Sequence, residues 1–185
     1  MEKLTRYKGR PENTEGRLEK EIRVYDFLDE LGIEYDRLDH EPADSAHPDV
    51  CAAVEESLGA EICKNLFLAN RQRTKFYLLM IPEAKVFRSS VISKQAGSSR
   101  LHFAEPEYME KYLDTTPGSA SVMGLINDKD HCVQLLVDEE LLGQEYIGCH
   151  PCINTSSMKI RTEDIFGKFL KAVDHDYITV RPEAE

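Results

Sequence analysis

The sequence predicts an α+β fold, and three observations lead there. Apolar residues recur at helical spacing in some segments and alternate, or run together briefly, in others. The two kinds of segment follow one another without regular βα alternation, which argues against a doubly wound parallel sheet. Gly, Pro, Asn and Asp punctuate the boundaries. With 185 residues, 41% hydrophobic and 31% charged, the chain has the length and composition of one globular domain spanning residues 1–185.

The elements follow in order. Residues 1–13 are polar and predict a flexible N-terminal arm. Leu18, Ile22, Tyr25, Leu28 and Leu31 define a helical stripe that Gly32 ends. Ile33 to Leu38 is extended. Pro48 opens a second helix, with Val50, Ala53, Val54 and Leu58 inward and Gly59 at its end. A hairpin covers residues 62–81, a short helix follows Ser89 and Ser90 and stops near Gly97, and Arg100 to Phe103 reads as a strand. Pro106 starts a helix through Tyr108, Met109 and Leu113. A loop of small and turn-forming residues, 114–121, leads into an expected second hairpin, Val122–Ile126 with Cys132–Val137. Strands at Tyr146–Cys149 and Asn154–Ile160, a closing helix from Thr162 through Leu170, and a strand at Tyr177–Val180 complete the chain.

The first hairpin holds the most informative residue. Ile62-Cys63-Lys64-Asn65-Leu66-Phe67-Leu68 places a lysine inside an apolar run. On the inner face, Lys64 would carry a desolvation cost unless an anion met it; on the outer face, its stem would merely cover apolar neighbours. Charge distribution bears on the choice. Net charge is −11, yet residues 64–100 carry eight basic residues and one acid, while both flanks are strongly acidic. A basic island in an acidic body suits local phosphate contact, and equally suits a solvated hairpin edge.

Other classes are bounded by what the sequence contains. No apolar stretch approaches the roughly 20 residues of a membrane span, and the first residues carry no signal-peptide core, so a cytoplasmic protein is expected. Its five cysteines are then expected to be reduced. Cys149-His150-Pro151-Cys152 is a Cys-x-x-Cys pair and raises a thiol redox reading, or, with His131, Cys132 or His150, a zinc site. The residues after it read as loop and strand rather than as the helix a redox pair needs.

Four collinear segments together resemble the bacterial prolyl-tRNA editing domain superfamily, found inserted in prolyl-tRNA synthetases and free as YbaK-like proteins and alanyl-tRNA(Pro) deacylases. They are Lys64-Asn65-Leu66-Phe67-Leu68, Leu101-His102-Phe103-Ala104, the stretch from Thr116 to Asp128, and His150-Pro151-Cys152-Ile153-Asn154-Thr155. The resemblance spans residues 16–175. It departs from the family where Val122 replaces the proline of a Gly-x-x-x-Pro loop, and where Cys152 replaces a leucine.

The resemblance implies a mixed, largely antiparallel sheet or partial barrel flanked by helices. It implies a hydrolase that removes a wrong amino acid, alanine first and cysteine as the alternative, from tRNA(Pro), with water activated by the substrate's own ribose hydroxyl. A non-catalytic tRNA-binding module is the other reading. Lys64 becomes the cation that holds the terminal phosphate, Gly118 the backbone that approaches the reacting carbonyl, and His150 the opposite wall. Asn65, Ser119, Ser121, Val122 and Asn154 become substrate-binding residues, and Arg71 and Arg73 contacts to the tRNA. The implied partners are the acceptor end of mischarged tRNA(Pro) and prolyl-tRNA synthetase, with no cofactor, metal, DNA or membrane.

Overall fold

The computed structural model describes residues 4–44 and 46–183. Its architecture is α+β, with two sheets flanked by helices and no closed barrel. One sheet has the order β1-β2-β8-β7, built from β1 (Tyr7–Lys8), β2 (Tyr35–Asp39), β7 (Tyr146–Cys149) and β8 (Ser156–Arg161). The other has the order β5-β3-β4-β6-β9, from β3 (Lys64–Ala69), β4 (Phe76–Ile81), β5 (His102–Phe103), β6 (Val133–Asp138) and β9 (Tyr177–Val180).

The hairpin of β3 and β4 forms in the register Lys64 opposite Ile81 through Ala69 opposite Phe76. Every residue of β4 is buried, as its unbroken apolar run requires of an inner strand. Helix α1 (Glu19–Glu30) buries Val24, Tyr25 and Leu28, with the exposed Leu18 as its N-cap. Helix α2 (Pro48–Leu58) starts on its proline and ends at Gly59. Helices α3 (Ser89–Gln95) and α4 (Pro106–Leu113) lie in the connection between β4 and β6. Phe67, Leu78, Met80, Leu135 and Phe169 join one large core, each contributing about 1.5–3 kcal/mol of transfer free energy on burial.

The second expected hairpin does not form. Val122–Ile126 is a 3₁₀ turn, capped by the Ser121 hydroxyl accepting from the Met123 amide at 3.2 Å. All five of its residues are buried, and a short apolar run bounded by turns has no period that separates strand from buried turn. The strand that follows, β6, pairs in parallel with β4 and with β9 instead. Parallel pairing demands long crossovers. The first of them, residues 82–132, carries the loop containing Gly118, and the second carries β7, β8 and the closing helix.

Three smaller differences stand out. Within residues 4–13, expected as a loose arm, Tyr7–Lys8 pairs with β2 and the Lys8 amine meets Asp36 at 2.5 Å; residues 1–3 lie outside the described residues. The strand expected from Asn154 begins at Ser156. The closing helix is continuous from residue 162 to 172 but is π-helical over Ile165–Phe169.

The two sheets meet at one point that matters for the site. Ile62 forms an isolated parallel bridge with Gly148, with the Gly148 amide donating to the Glu61 carbonyl at 2.8 Å and the Cys63 amide to the Gly148 carbonyl at 3.1 Å. Lys64 follows the bridge on one side and His150 on the other.

Candidate active site

A cavity of about 390 Å³ opens at this junction. Lys64, Asn65, Gly118 and His150 all line it, together with Asp44, Glu55 and Glu83 and an apolar wall that includes Phe67, Phe103 and Met109. Residues expected from distant parts of the sequence therefore share one hollow.

The Lys64 side chain is 31% exposed, so it lies neither in the core nor in open solvent. Its ammonium donates to the Lys85 carbonyl at 3.1 Å and stands 3.8 Å from a Glu83 carboxylate oxygen. Most of its hydrogen-bonding capacity is left for a ligand. Beside it, the Asn65 amide donates to the Cys63 carbonyl at 3.1 Å.

Gly118 has φ +87°, a conformation that suits glycine. A Cβ there would come within 3.3 Å of Asp44 Cβ and 3.7 Å of Asn154 Nδ2. Asp44 is fixed in turn: its Oδ1 accepts from the Ala46 amide at 2.9 Å and pairs with His47 Nδ1 at 2.8 Å, and its Oδ2 accepts from Asn154 Nδ2 at 3.2 Å. The His47 bond first, then the Ala46 amide, holds the Asp44 carboxyl below its usual range. Asn154 thus holds Asp44 and lies beside Gly118, though it is not among the residues lining the cavity.

His150 is 9% exposed. Burial pushes its imidazole down to about 4, against the opposing pull of the Ser156 carbonyl, so the ring is neutral at ordinary pH. Its Nδ1 lies 2.9 Å from that carbonyl. A carbonyl only accepts, so Nδ1 carries the proton and Nε2 is left as the acceptor, with the Ala43 backbone also close to the ring.

Several expected binding residues lie elsewhere. Ser119 is buried and its hydroxyl closes the loop, donating to the Thr116 carbonyl at 2.9 Å. Ser121 is fully buried and donates to the His150 carbonyl at 2.6 Å. Both hydroxyls are consumed in shaping the walls. Val122 is fully buried in the large core, while Pro117 and Ala120 present the loop to the cavity. Arg71 and Arg73 sit in the exposed turn at the opposite end of β3 from Lys64, and Arg73 is paired with Glu105.

Asp44, Glu55 and Glu83 were not singled out from the sequence. Isolated acids in an acidic chain carry no pattern, and only the fold gathers them. Cys149 and Cys152 are buried free thiols. Burial pushes Cys152 up to about 12 and Cys149 well above its usual value, the opposite of an activated thiolate. Among the described residues, no group of three or more His, Cys, Asp or Glu side chains could hold a metal ion, and no helix is long and apolar enough to cross a membrane.

Comparisons with known proteins give the family. The family model for the aminoacyl-tRNA editing domain matches residues 40–167, which includes Lys64, Gly118 and His150. The prolyl-tRNA editing protein ProX of Acetoanaerobium sticklandii is 30% identical over 145 residues, covering 78% of this chain and 87% of its own. The prolyl-tRNA synthetase associated domain-containing protein 1 of Mus musculus is 30% identical over 141 residues, covering 71% and 82%. Among solved structures, a candidate trans-editing enzyme for prolyl tRNA synthetase superimposes with a TM-score of 0.64 at 14% identity, over 89% of this chain and 98% of that one, a likeness of fold. The chain belongs to the aminoacyl-tRNA editing domain family.

Proposed function

We propose that the protein is a trans-editing deacylase that hydrolyses the ester of mischarged tRNA(Pro), with alanine as the acyl group removed. The observation that carries this reading is the meeting of Lys64, Gly118 and His150, from three separate segments, in one cavity.

An aminoacyl ester is already activated, so catalysis needs a placed water, stabilisation of the developing oxyanion and rejection of the cognate amino acid. The Lys64 ammonium grips the 3′-terminal phosphate and orients the ester. Backbone around Gly118 approaches the reacting carbonyl, and an N–H there stabilises the oxyanion. The neutral His150 ring offers its Nε2 lone pair to the terminal ribose hydroxyl or to the attacking water, and the substrate's own hydroxyl completes water activation. The loop of Pro117 and Ala120, backed by the buried Val122, bounds the acyl site, and a small site excludes proline by steric conflict.

The acceptor end of tRNA(Pro) is the partner this reading requires, with prolyl-tRNA synthetase as the companion that supplies it, in the cytoplasm. Arg71 and Arg73, outside the cavity, serve only if the acceptor stem crosses the hairpin turn. The test is a deacylation panel of alanyl-, cysteinyl-, seryl- and prolyl-tRNA(Pro). Release of alanine, lost in Lys64→Ala, is the expected result. Preferential release of cysteine would replace the acyl group and keep the reaction, and binding without release from any substrate would overturn the reaction itself.

A further inference from the structure

His150 is the inner end of a chain of side chains that reaches out to the end of β2. Its Nδ1 is 2.9 Å from the Ser156 carbonyl and 3.2 Å from Ser157 Oγ. Ser157 Oγ is 2.8 Å from His40 Nε2, and His40 Nδ1 is 2.7 Å from the Glu41 carbonyl. The two rings themselves are 6.3 Å apart between centroids, so the serine hydroxyl is the link.

Donor and acceptor roles along this chain follow from its ends. Carbonyl oxygens only accept, so both imidazoles carry their protons on Nδ1 while neutral. His40 Nε2 is then a bare lone pair, and the hydroxyl hydrogen of Ser157 is the donor that faces it. With that hydrogen committed outward, Ser157 Oγ turns a lone pair toward His150 Nδ1–H. Each donor meets an acceptor in this arrangement. The opposite His150 tautomer would set its Nδ1 lone pair against the Ser156 carbonyl and against a hydroxyl already spent on His40.

We propose that His40 is a positioning residue that, through the Ser157 hydroxyl and alongside the Ser156 carbonyl, holds His150 in the Nδ1–H tautomer with its Nε2 lone pair turned to the substrate. The inference rests on the deacylase reading for its catalytic consequence, though not for its geometry. Burial lowers the affinity of both rings for a second proton and so keeps the chain neutral. The charged groups facing it are Asp39, which is paired with Arg17 and Arg37, and Asp44. His40 was not among the residues singled out from the sequence, because nothing but the β2–β8 pairing, with Leu38 opposite Ser157, places it near His150.

The test uses protein labelled with ¹⁵N-histidine and long-range ¹H–¹⁵N correlation at pH 7. Wild type should show His150 as a single Nδ1–H tautomer. His40→Leu should populate the Nε2–H form, and His40→Gln, whose amide oxygen can still accept from Ser157, should restore the wild-type pattern. On alanyl-tRNA(Pro), His40→Leu should lower kcat about tenfold with KM unchanged, and His40→Gln should stay within about twofold of wild type. Ser157→Ala breaks the same link without touching His40 and serves if the leucine variant does not fold. An unchanged His150 tautomer and unchanged kcat in both His40→Leu and Ser157→Ala would overturn the proposal. A wild-type protein that deacylates nothing would overturn the functional reading instead, leaving the tautomer result to decide the role of His40.

Discussion

The Gly148 amide donates to the Glu61 carbonyl at 2.8 Å, and this bond sets how closely the two walls of the cavity approach. Lys64 hangs from one wall and His150 from the other, each two or three residues past the junction. The approach is so close that a Cβ at Gly148 would stand 2.6 Å from Ile62 Cδ1 and 2.7 Å from the Glu61 carbonyl oxygen. The isoleucine tip can turn aside; the backbone oxygen cannot. Gly148→Ala should therefore destabilise the fold by about 1–3 kcal/mol, as overpacking does. It should also depress deacylation beyond what lost stability explains, because Lys64 and His150 are pushed apart. Urea unfolding and a kcat measurement well below the midpoint check both halves.

This junction also marks the limit of what could be read in the sequence. Local chemistry was legible: Pro48 and Gly59 bound α2, and the alternating run around Lys64 with its polar turn forms the expected hairpin. Gly118 and His150 were reached through their resemblance to family motifs, and both line the cavity with Lys64. What depended on long-range pairing was not legible. Val122–Ile126 looks strand-like residue by residue, yet β4 takes β6 as its parallel neighbour and leaves that segment a capped turn. Ser119 and Ser121 were expected to bind substrate through the family resemblance, but their hydroxyls are spent on the Thr116 and His150 carbonyls. Asp44 and His40 enter the site only because β2 lies beside β8.

Gly118 offers a cleaner separation of stability from chemistry. Its φ of +87° costs an L-residue about 1–2 kcal/mol, and a Cβ would meet Asp44 Cβ at 3.3 Å. Residues 116–118 are exposed, so the chain should still fold, with Tm lowered by about 2–8 °C. Catalysis should suffer far more. Alanine keeps the backbone N–H, but its Cβ presses on Asp44 and strains the turn, so the donor is displaced. Since loss of one oxyanion donor costs about 100-fold or more in kcat, Gly118→Ala should fold nearly normally and turn over alanyl-tRNA(Pro) at down to about a hundredth of the wild-type rate. A fall in rate of only a fewfold would remove Gly118 from the oxyanion role.

A buried pair far from the cavity makes stability depend on pH. His175 Nε2 and Asp128 Oδ2 are 2.9 Å apart, and both residues are buried. Burial opposes charge on His175, but the Asp128 bond and the Val173 carbonyl outweigh it and raise its proton affinity above the ordinary value of 6.5. Burial likewise opposes charge on Asp128, but His175 and the Cys132 and Val133 amides hold its carboxyl below 3.8. A raised histidine contributes fully below 6.5 and loses its contribution as pH rises through the folded value. A lowered carboxylate contributes above 3.8 and loses it as pH falls through the folded value. The pair is therefore strongest between about pH 4 and 6.5. His175→Gln should cost about 1.5–3 kcal/mol at pH 5.5 and distinctly less at pH 8.5, read by urea unfolding at the two values. An equal cost at both would mean that the ring is held by packing and not by charge.

Glu83 should restrain substrate binding. Its carboxylate, 56% exposed, lies 3.8 Å from the Lys64 ammonium, the group that the proposed mechanism sets against the terminal phosphate. An exposed ion pair of this kind is worth about 0.2–1 kcal/mol, so removing it should lower KM for alanyl-tRNA(Pro) by up to about fivefold. Chemistry at the ester is untouched, and kcat should hold. Glu83→Gln keeps the shape of the side chain and the Glu83 amide bond to Glu61 Oε1 at 3.1 Å, so the change isolates charge. The decisive comparison is the double-mutant cycle. If Glu83 acts by occupying Lys64, the gain should disappear in a Lys64→Ala background when binding is measured directly. If the same gain persists there, Glu83 repels the phosphate through its field alone, and Lys64 is not the group that the two anions contest.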